Sequence, residues 1–218
     1  MDEHEYKVGD LYERNHFRRR KINGEWRYWR DGKNRAEEML PNLKRKTTET
    51  NQNEDMAACN PKYLKGGVYK NNCISCALAY DMRRRGYDVE SAPIDTTSAT
   101  NGSLPVQLGF YKGEKLETYE VPKDPDVAMK QFSNRILKYG DDSRGMLRIR
   151  WKNGDGHAAI WEVDDGSVVI RDPQNNTIVD LSDYVSRAKT FYYFRTDDLE
   201  VTNKAFRFVQ NRLSEEGD

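Results

Sequence analysis

The sequence predicts an α+β domain, and two observations carry that expectation. A single strongly apolar helix pattern, "CISCALAYDMRRRG", comes early, around residues 73–85. From residue 146 onward the chain turns to short period-2 runs, "MLRIRW", "HAAIWEV", "SVVIRD" and "TFYYFRT", separated by Gly, Asp and Asn turns. A helix first and antiparallel strands later is the order of a segregated α+β layout rather than of alternating βαβ units.

Taken in order, the first 56 residues read as a separate basic extension and linker, with the globular part at 57–218. "HFRRRKINGEWRYWRDG" predicts a hairpin around Asn23-Gly24, a pair that readily takes positive φ. "GKNRAEEML" predicts one or two helical turns stopped by Pro41, and "KRKTTETNQNEDM" lacks apolar periodicity and reads as a linker. Residues 14–46 hold 12 Lys/Arg against 4 Asp/Glu. Such a surplus suits contact with nucleic acid, but no nucleic-acid motif accompanies it, and a solvated charged arm is the preferred reading.

The helix at 73–85 is followed by Gly86, a natural residue to end it. Its first half has little polar surface, so burial on most sides is expected. "YDVES" predicts a strand, "QLGFYKGEKLETYEV" a hairpin turning at Lys112-Gly113, and "PDVAMKQFSNRILKYG" a helix with apolar Val127, Phe132, Ile136 and Leu137. A short helix near "LSDYVSRA" interrupts the later strands, and "NKAFRFVQNRL" predicts a closing helix.

Net charge is zero and 36% of residues are hydrophobic. No apolar run approaches the roughly 20 residues of a membrane span. The start "MDEHEYKVGD" has no apolar h-region, so no Sec signal peptide is expected. Three cysteines, Cys59, Cys73 and Cys76, argue against a disulfide framework and for a reducing compartment, in the cell of origin or a target cell.

Cys73 follows Asn71 and Asn72, both good N-cap types, and so falls in the first turn of the helix. A helix N-terminus and a nearby imidazolium each favour a thiolate. His157 is the one histidine beyond the first 56 residues. If residues 164–167 form the turn of a hairpin, paired positions bring Ala159 opposite Asp172 and His157 opposite Gln174. His157 and Asp172 then become diagonal neighbours on one face, and a slip of one residue would separate them. Nucleophile, base and orienting carboxylate are the parts of a thiol hydrolase. Two other readings stand beside it: a buried packing cysteine, and a zinc site of Cys59, Cys73, Cys76 and His157, disfavoured because the ligands are remote in sequence.

"NNC-x-x-C-A-x-A", "GHAAIWEV" and "RDPQ", in that order, resemble the papain-fold toxin family of glutamine deamidases over residues 57–218. The resemblance implies a papain-like fold, with an N-terminal catalytic helix packed on an antiparallel sheet. It implies Cys73 as nucleophile, His157 as base and Asp172 as the third member, with Cys76 the weaker thiol. It further implies a protein glutamine converted to glutamate without metal or cofactor, the oxyanion held at the helix start with help from Asn72, and Gln174 positioning substrate. A cysteine protease on the same triad is the alternative within this chemistry. "NPKY" and "AYDMRRRGYDVESAP" are similar to versions in phage head-morphogenesis proteins and mobile elements. That similarity implies a bacterial or phage-borne effector with an immunity or virion partner, or a non-catalytic structural protein associated with the virion.

Overall fold

The computed structural model describes residues 43–93, 109–113 and 115–212, together with the backbone of four strands nearer the N-terminus. Those strands are β1 (His4–Tyr6), β2 (Phe17–Ile22), β3 (Glu25–Arg30) and β4 (Met39–Pro41), in an antiparallel sheet of that order. β2 and β3 pair with Ile22 opposite Glu25, while the Asn23-Gly24 turn expected between them lies outside the described residues. The helical turns expected in "GKNRAEEML" lie outside the described residues up to residue 38; Met39 and Leu40 are strand, pairing with Trp29 and Tyr28.

The stretch expected to be a linker is corrected by the structure. Helix α1 (Gln52–Cys59) starts inside it, capped by Asn51 and closed by Glu54 in a reciprocal capping box. Its Asp55 is fully buried and accepts from Lys46 (2.5 Å), Arg83 (3.1 Å) and Arg84 (3.1 Å). Buried charge pairs at Asp55 hold this segment down together with the apolar burial of Met56 and Cys59.

Helix α2 (Cys73–Arg84) is the buried helix of the sequence pattern: every residue from Cys73 to Arg83 is buried. Gly86, at φ 86°, ends it. The Gly86 amide reaches the Arg83 carbonyl, and the Tyr87 amide reaches back to Met82, closing a Schellman turn. The basic run that follows is turned inward. Arg83 bonds Asp55, Asp88 and the Val89 carbonyl; Arg84 bonds Asp55 and the Thr50 carbonyl; Arg85 bonds Asp81.

The central sheet has six strands, all antiparallel, in the order β10-β9-β8-β7-β11-β6. These are β6 (Glu117–Glu120), β7 (Arg144–Trp151), β8 (Gly156–Asp164), β9 (Ser167–Asp172), β10 (Thr177–Val179) and β11 (Ala188–Arg195). A two-stranded pair joins β5 (Val89–Ser91) to β12 (Val209–Asn211). Each face of the sheet has its own core. On one lie α1 and α2, with Ile74, Ala77 and Leu78 against Ala158, Ile160, Met146 and Phe194. On the other lie α3 (Pro125–Ile136) and α4 (Leu181–Arg187), with Phe132, Ile136, Tyr184 and Val185 against Leu147, Ile149, Ala159 and Trp161. Adjacent residues of β7 and β8 thus serve opposite cores, as a pleat of period two requires. The arrangement is α+β, with helices packed beside an antiparallel sheet.

Two further expectations are revised. The arms of the hairpin placed at Lys112-Gly113 do not pair with each other among the described residues. Tyr111 bridges to Val201, while β6 pairs with β11. The closing helix is instead a 3-10 stretch, Asn203–Phe208, running into β12, because β5 offers an unpaired edge there. Of the apolar residues named for α3, Phe132 and Ile136 are buried, whereas Val127 and Leu137 are exposed.

Candidate active site

The register of the β8–β9 hairpin decides the site. Trp161 pairs with Ile170, and Asp164 with Ser167, around the turn Asp165-Gly166, where both residues have positive φ (48° and 69°). This is the register expected from the turn chemistry. It brings His157, at the start of β8, to the end of β9, where its Nε2 lies 2.7 Å from Asp172 Oδ2. The Asp172 carboxylate is held on both oxygens. Oδ1 accepts the backbone N–H of Gln174 (3.1 Å), and Oδ2 accepts the hydroxyl of Tyr184 (3.2 Å) as well.

With Nε2 engaged by Asp172, the remaining ring nitrogen of His157 serves the Cys73 sulfur. Cys73 arrives from the other face of the sheet, as the first residue of α2. Burial pushes its thiol up. The hydrogen bond with His157, the charges of His157 and Arg148 and a hydrogen bond from the Ala158 backbone N–H outweigh burial and bring it down to about 7. Burial alone would lower the His157 imidazole; hydrogen bonds to Asp172 and Cys73 and their charges raise it to about 10. The two shifts are coupled, and both favour the thiolate–imidazolium form of the pair.

The other thiols behave in the opposite way. Cys76 is fully buried, and burial drives its pKa well above the ordinary thiol range despite a hydrogen bond with Ser91. Cys59 donates to the Asp55 carbonyl (3.0 Å), and burial raises it too. Among the described residues no cluster of three or more His, Cys, Asp or Glu could hold a metal ion. None of their helices is long and apolar enough to cross a membrane.

Asn72 occupies the N-cap position of α2, but its side chain makes no capping bond. It is fully buried, and its Nδ2 donates to Ser91 Oγ (3.0 Å) and Asn60 Oδ1 (3.5 Å). The amide expected to aid an oxyanion is therefore aimed into the protein. Its Oδ1 faces Gln174 Nε2 at 3.4 Å, and the Gln174 carbonyl accepts from Asn60 Nδ2 at 2.8 Å. Asn72 and Gln174 thus tie the loop before α2 to the turn after β9.

Three residues of the site went unread in the sequence. Tyr184, on α4, bonds Asp172 and sets its ring edge-on to His157, at 6.2 Å and 88°. Trp151, at the end of β7, lies parallel to the His157 ring at 6.4 Å, with the Arg187 guanidinium on its own ring at 4.7 Å. Arg148, also on β7, faces Cys73. Trp151 and Arg148 come from β7, the hairpin partner that precedes β8, and Tyr184 from the helix after β10; all three lie far along the chain from Cys73, and only the strand pairing brings them to it.

Residues 71–177 match the model of the family described as papain fold toxin 1, glutamine deamidase. No curated protein matches the chain. Among solved structures, two variants of the Salmonella effector SpvD are similar. One is 13% identical with a TM-score of 0.42, covering 77% of this chain and 84% of that one. The other is 12% identical with a TM-score of 0.38, covering 72% and 85%. The Pseudomonas avirulence protein AvrPphB is 13% identical with a TM-score of 0.33, covering 58% of this chain and 70% of its own.

Proposed function

We propose, with the family match as premise, that the chain is a thiol-dependent deamidase of protein glutamine, acting through Cys73, His157 and Asp172. One observation carries the choice of nucleophile: of three buried cysteines, only Cys73 meets an imidazole that is itself bonded to a carboxylate. A thiolate at a helix start is the attacking form of cysteine.

The Cys73 sulfur attacks the carboxamide carbon of the target side chain, forming an S–C bond and placing the carbonyl electron pair on oxygen. Backbone amides at the start of α2 are the natural donors for that oxyanion, at the positive end of the helix. The Asn72 side chain, committed to Ser91 and Asn60, is left with a supporting role. The oxyanion collapses and the C–N bond breaks as His157 gives its proton to the departing nitrogen, releasing ammonia. Neutral His157 then takes a proton from water, which adds to the thioester; the S–C bond breaks, returning the thiolate and leaving glutamate. Asp172 and Tyr184 hold the ring for both transfers.

The test is intact-mass analysis of candidate protein substrates after incubation with the wild type and with Cys73→Ala. A gain of about one dalton with ammonia release, absent in the variant, is expected. Chain cleavage in place of the mass gain would assign a protease on the same residues. No change with any substrate, together with an unreactive Cys73, would leave a binding or structural role.

A further inference from the structure

We infer that Arg148 is a second cation of the nucleophile, a catalytic residue touching the Cys73 sulfur, and that Gly156 is glycine in order to seat its guanidinium. The inference rests on the reading of Cys73 as nucleophile.

Arg148 lies in the middle of β7, opposite Ala158, on the sheet face that α2 covers. It is 3% exposed. An arginine this deep in a sheet needs an anionic partner, because guanidinium keeps its proton in a protein and an uncompensated buried charge costs several kcal/mol. The partner facing it is the Cys73 sulfur, with which it is hydrogen-bonded. Arg148 is the cross-strand partner of Ala158, which packs in one cluster with Cys73, so a Cys73 thiolate is an anion placed to meet the buried guanidinium.

Gly156 gives independent support. It precedes His157, and its φ lies outside the left-handed region, so no turn demands a glycine there. What a side chain would meet is Arg148: a Cβ at this position would come within 3.2 Å of Nη2 and 3.3 Å of the Ile149 carbonyl. The hydrogen at Gly156 leaves the space through which the guanidinium reaches past β8 towards the sulfur. The Gly-His pair of the motif therefore has two functions, the histidine acting as base and the glycine as a seat for the second cation.

The titratable and charged groups that act on the Cys73 sulfur are His157 from β8, Arg148 from β7, Tyr184 from α4 and Cys76 from its own helix, with Asp172 of β9 behind His157. Of these, only Arg148 stays cationic at every working pH. Its effect is to hold part of the thiolate's stabilisation through the stage of the cycle at which His157 has given up its proton.

The test is the rate of Cys73 alkylation by iodoacetamide and by iodoacetate across pH 5–10, in wild type, Arg148→Met and Gly156→Ala. In Arg148→Met the midpoint is expected to rise by about one pH unit, slowing alkylation about tenfold below it. The preference for the anionic reagent over the neutral one should fall as well, which loss of packing alone would not produce. Gly156→Ala should move the midpoint the same way with the arginine still present. It decides the matter if Arg148→Met fails to fold. Superimposable curves and an unchanged reagent preference in the folded variants, with wild type titrating near 7, would overturn the role of Arg148 and leave the nucleophile standing. A wild-type Cys73 that titrates like an ordinary thiol would overturn both.

Discussion

Asp172 is the residue on which the charge arrangement turns. It accepts from His157, from Tyr184 and from the amide of Gln174, so its shape is fixed from three sides. Asp172→Asn keeps the size, replaces one accepting oxygen by an NH2 and removes the charge that raises His157. The imidazole is then expected to lose its proton at lower pH, and Cys73, with a weaker imidazolium beside it, to become a thiolate only at higher pH. The wild-type rate should rise as pH passes about 7 and fall as it approaches about 10. In the variant both limbs should move inward and turnover should fall steeply; in a serine triad the comparable change costs about 10⁴. Tyr184→Phe removes one donor and leaves the charge, so a smaller loss with little movement of the limbs is expected. Cys76→Ala, away from this arrangement, should retain most of the turnover. A pH–rate profile of each variant checks all three, and equal loss in Cys73→Ala and Cys76→Ala would undo the choice of nucleophile.

Element by element, what was legible in the sequence is what local rules govern. The Asp165-Gly166 turn and the period-2 pattern on either side set the β8–β9 register, and the register put His157 beside Asp172. Gly86 and the apolar run before it marked α2. The failures share a cause: a partner from far along the chain. Helix α1 buries only Met56, Ala58 and Cys59 at its end, and its Asp55 meets Arg83 and Arg84, a charge pattern that looks like solvated linker until the helices meet. The 203–212 segment has helical composition, yet the edge of β5 recruits its end as a strand. Tyr184 and Arg148 look like surface and packing residues until the order β9-β8-β7 is known. The sequence-based boundary at residues 56–57 therefore has a testable consequence. A chain starting at Met56 lacks Asn51, Glu54 and Asp55, which removes the α1 cap, worth about 1 kcal/mol. It also removes the Asp55 carboxylate from the buried Arg83, which keeps Asp88 and the Val89 carbonyl, so the further loss stays below the ~3–5 kcal/mol of a charge left unpaired. Thermal unfolding should show this truncation far less stable than one starting at Leu43. Equal melting temperatures would restore the linker reading.

For the molecule as a whole, the far end of α2 is fastened by a second buried carboxylate. Asp81 is fully buried and accepts from Arg85 (2.6 Å), Arg144 (2.8 Å), Tyr111 (3.0 Å) and Thr196 (3.0 Å), joining the helix to β7 and to the chain after β11. Burial pushes its pKa up, but the two guanidinium groups outweigh that and hold it below the usual carboxylate range. A depressed carboxylate contributes stability that is fully present above its unfolded value, about 4, and is lost as pH falls through the folded value. Acid unfolding should therefore begin below about pH 4, and Asp81→Ala should remove about 3–5 kcal/mol at neutral pH by stranding Arg85 and Arg144. Denaturant titrations at pH 7 and at successive pH values below about 4 measure both. A variant as stable as wild type would show that the arginines find other partners.

The proposed site draws its parts from residues 73, 148, 157, 172 and 184, so the proposed nucleophile comes first in the chain and the groups that would activate it come later. A ribosome that has emitted only α2 holds a cysteine of ordinary acidity, a few per cent ionised at neutral pH. The thiol acquires its reactivity when β7, β8 and β9 have paired and α4 has closed over them. Synthesis thus carries its own delay between making the reactive atom and switching it on. The same delay makes Cys73 a reporter: in refolding from denaturant at pH 7, pulse alkylation should stay slow through collapse and accelerate together with the last, non-local step of sheet assembly. Acceleration in the earliest phase, ahead of strand pairing, would show that the helix terminus alone suffices to activate the sulfur.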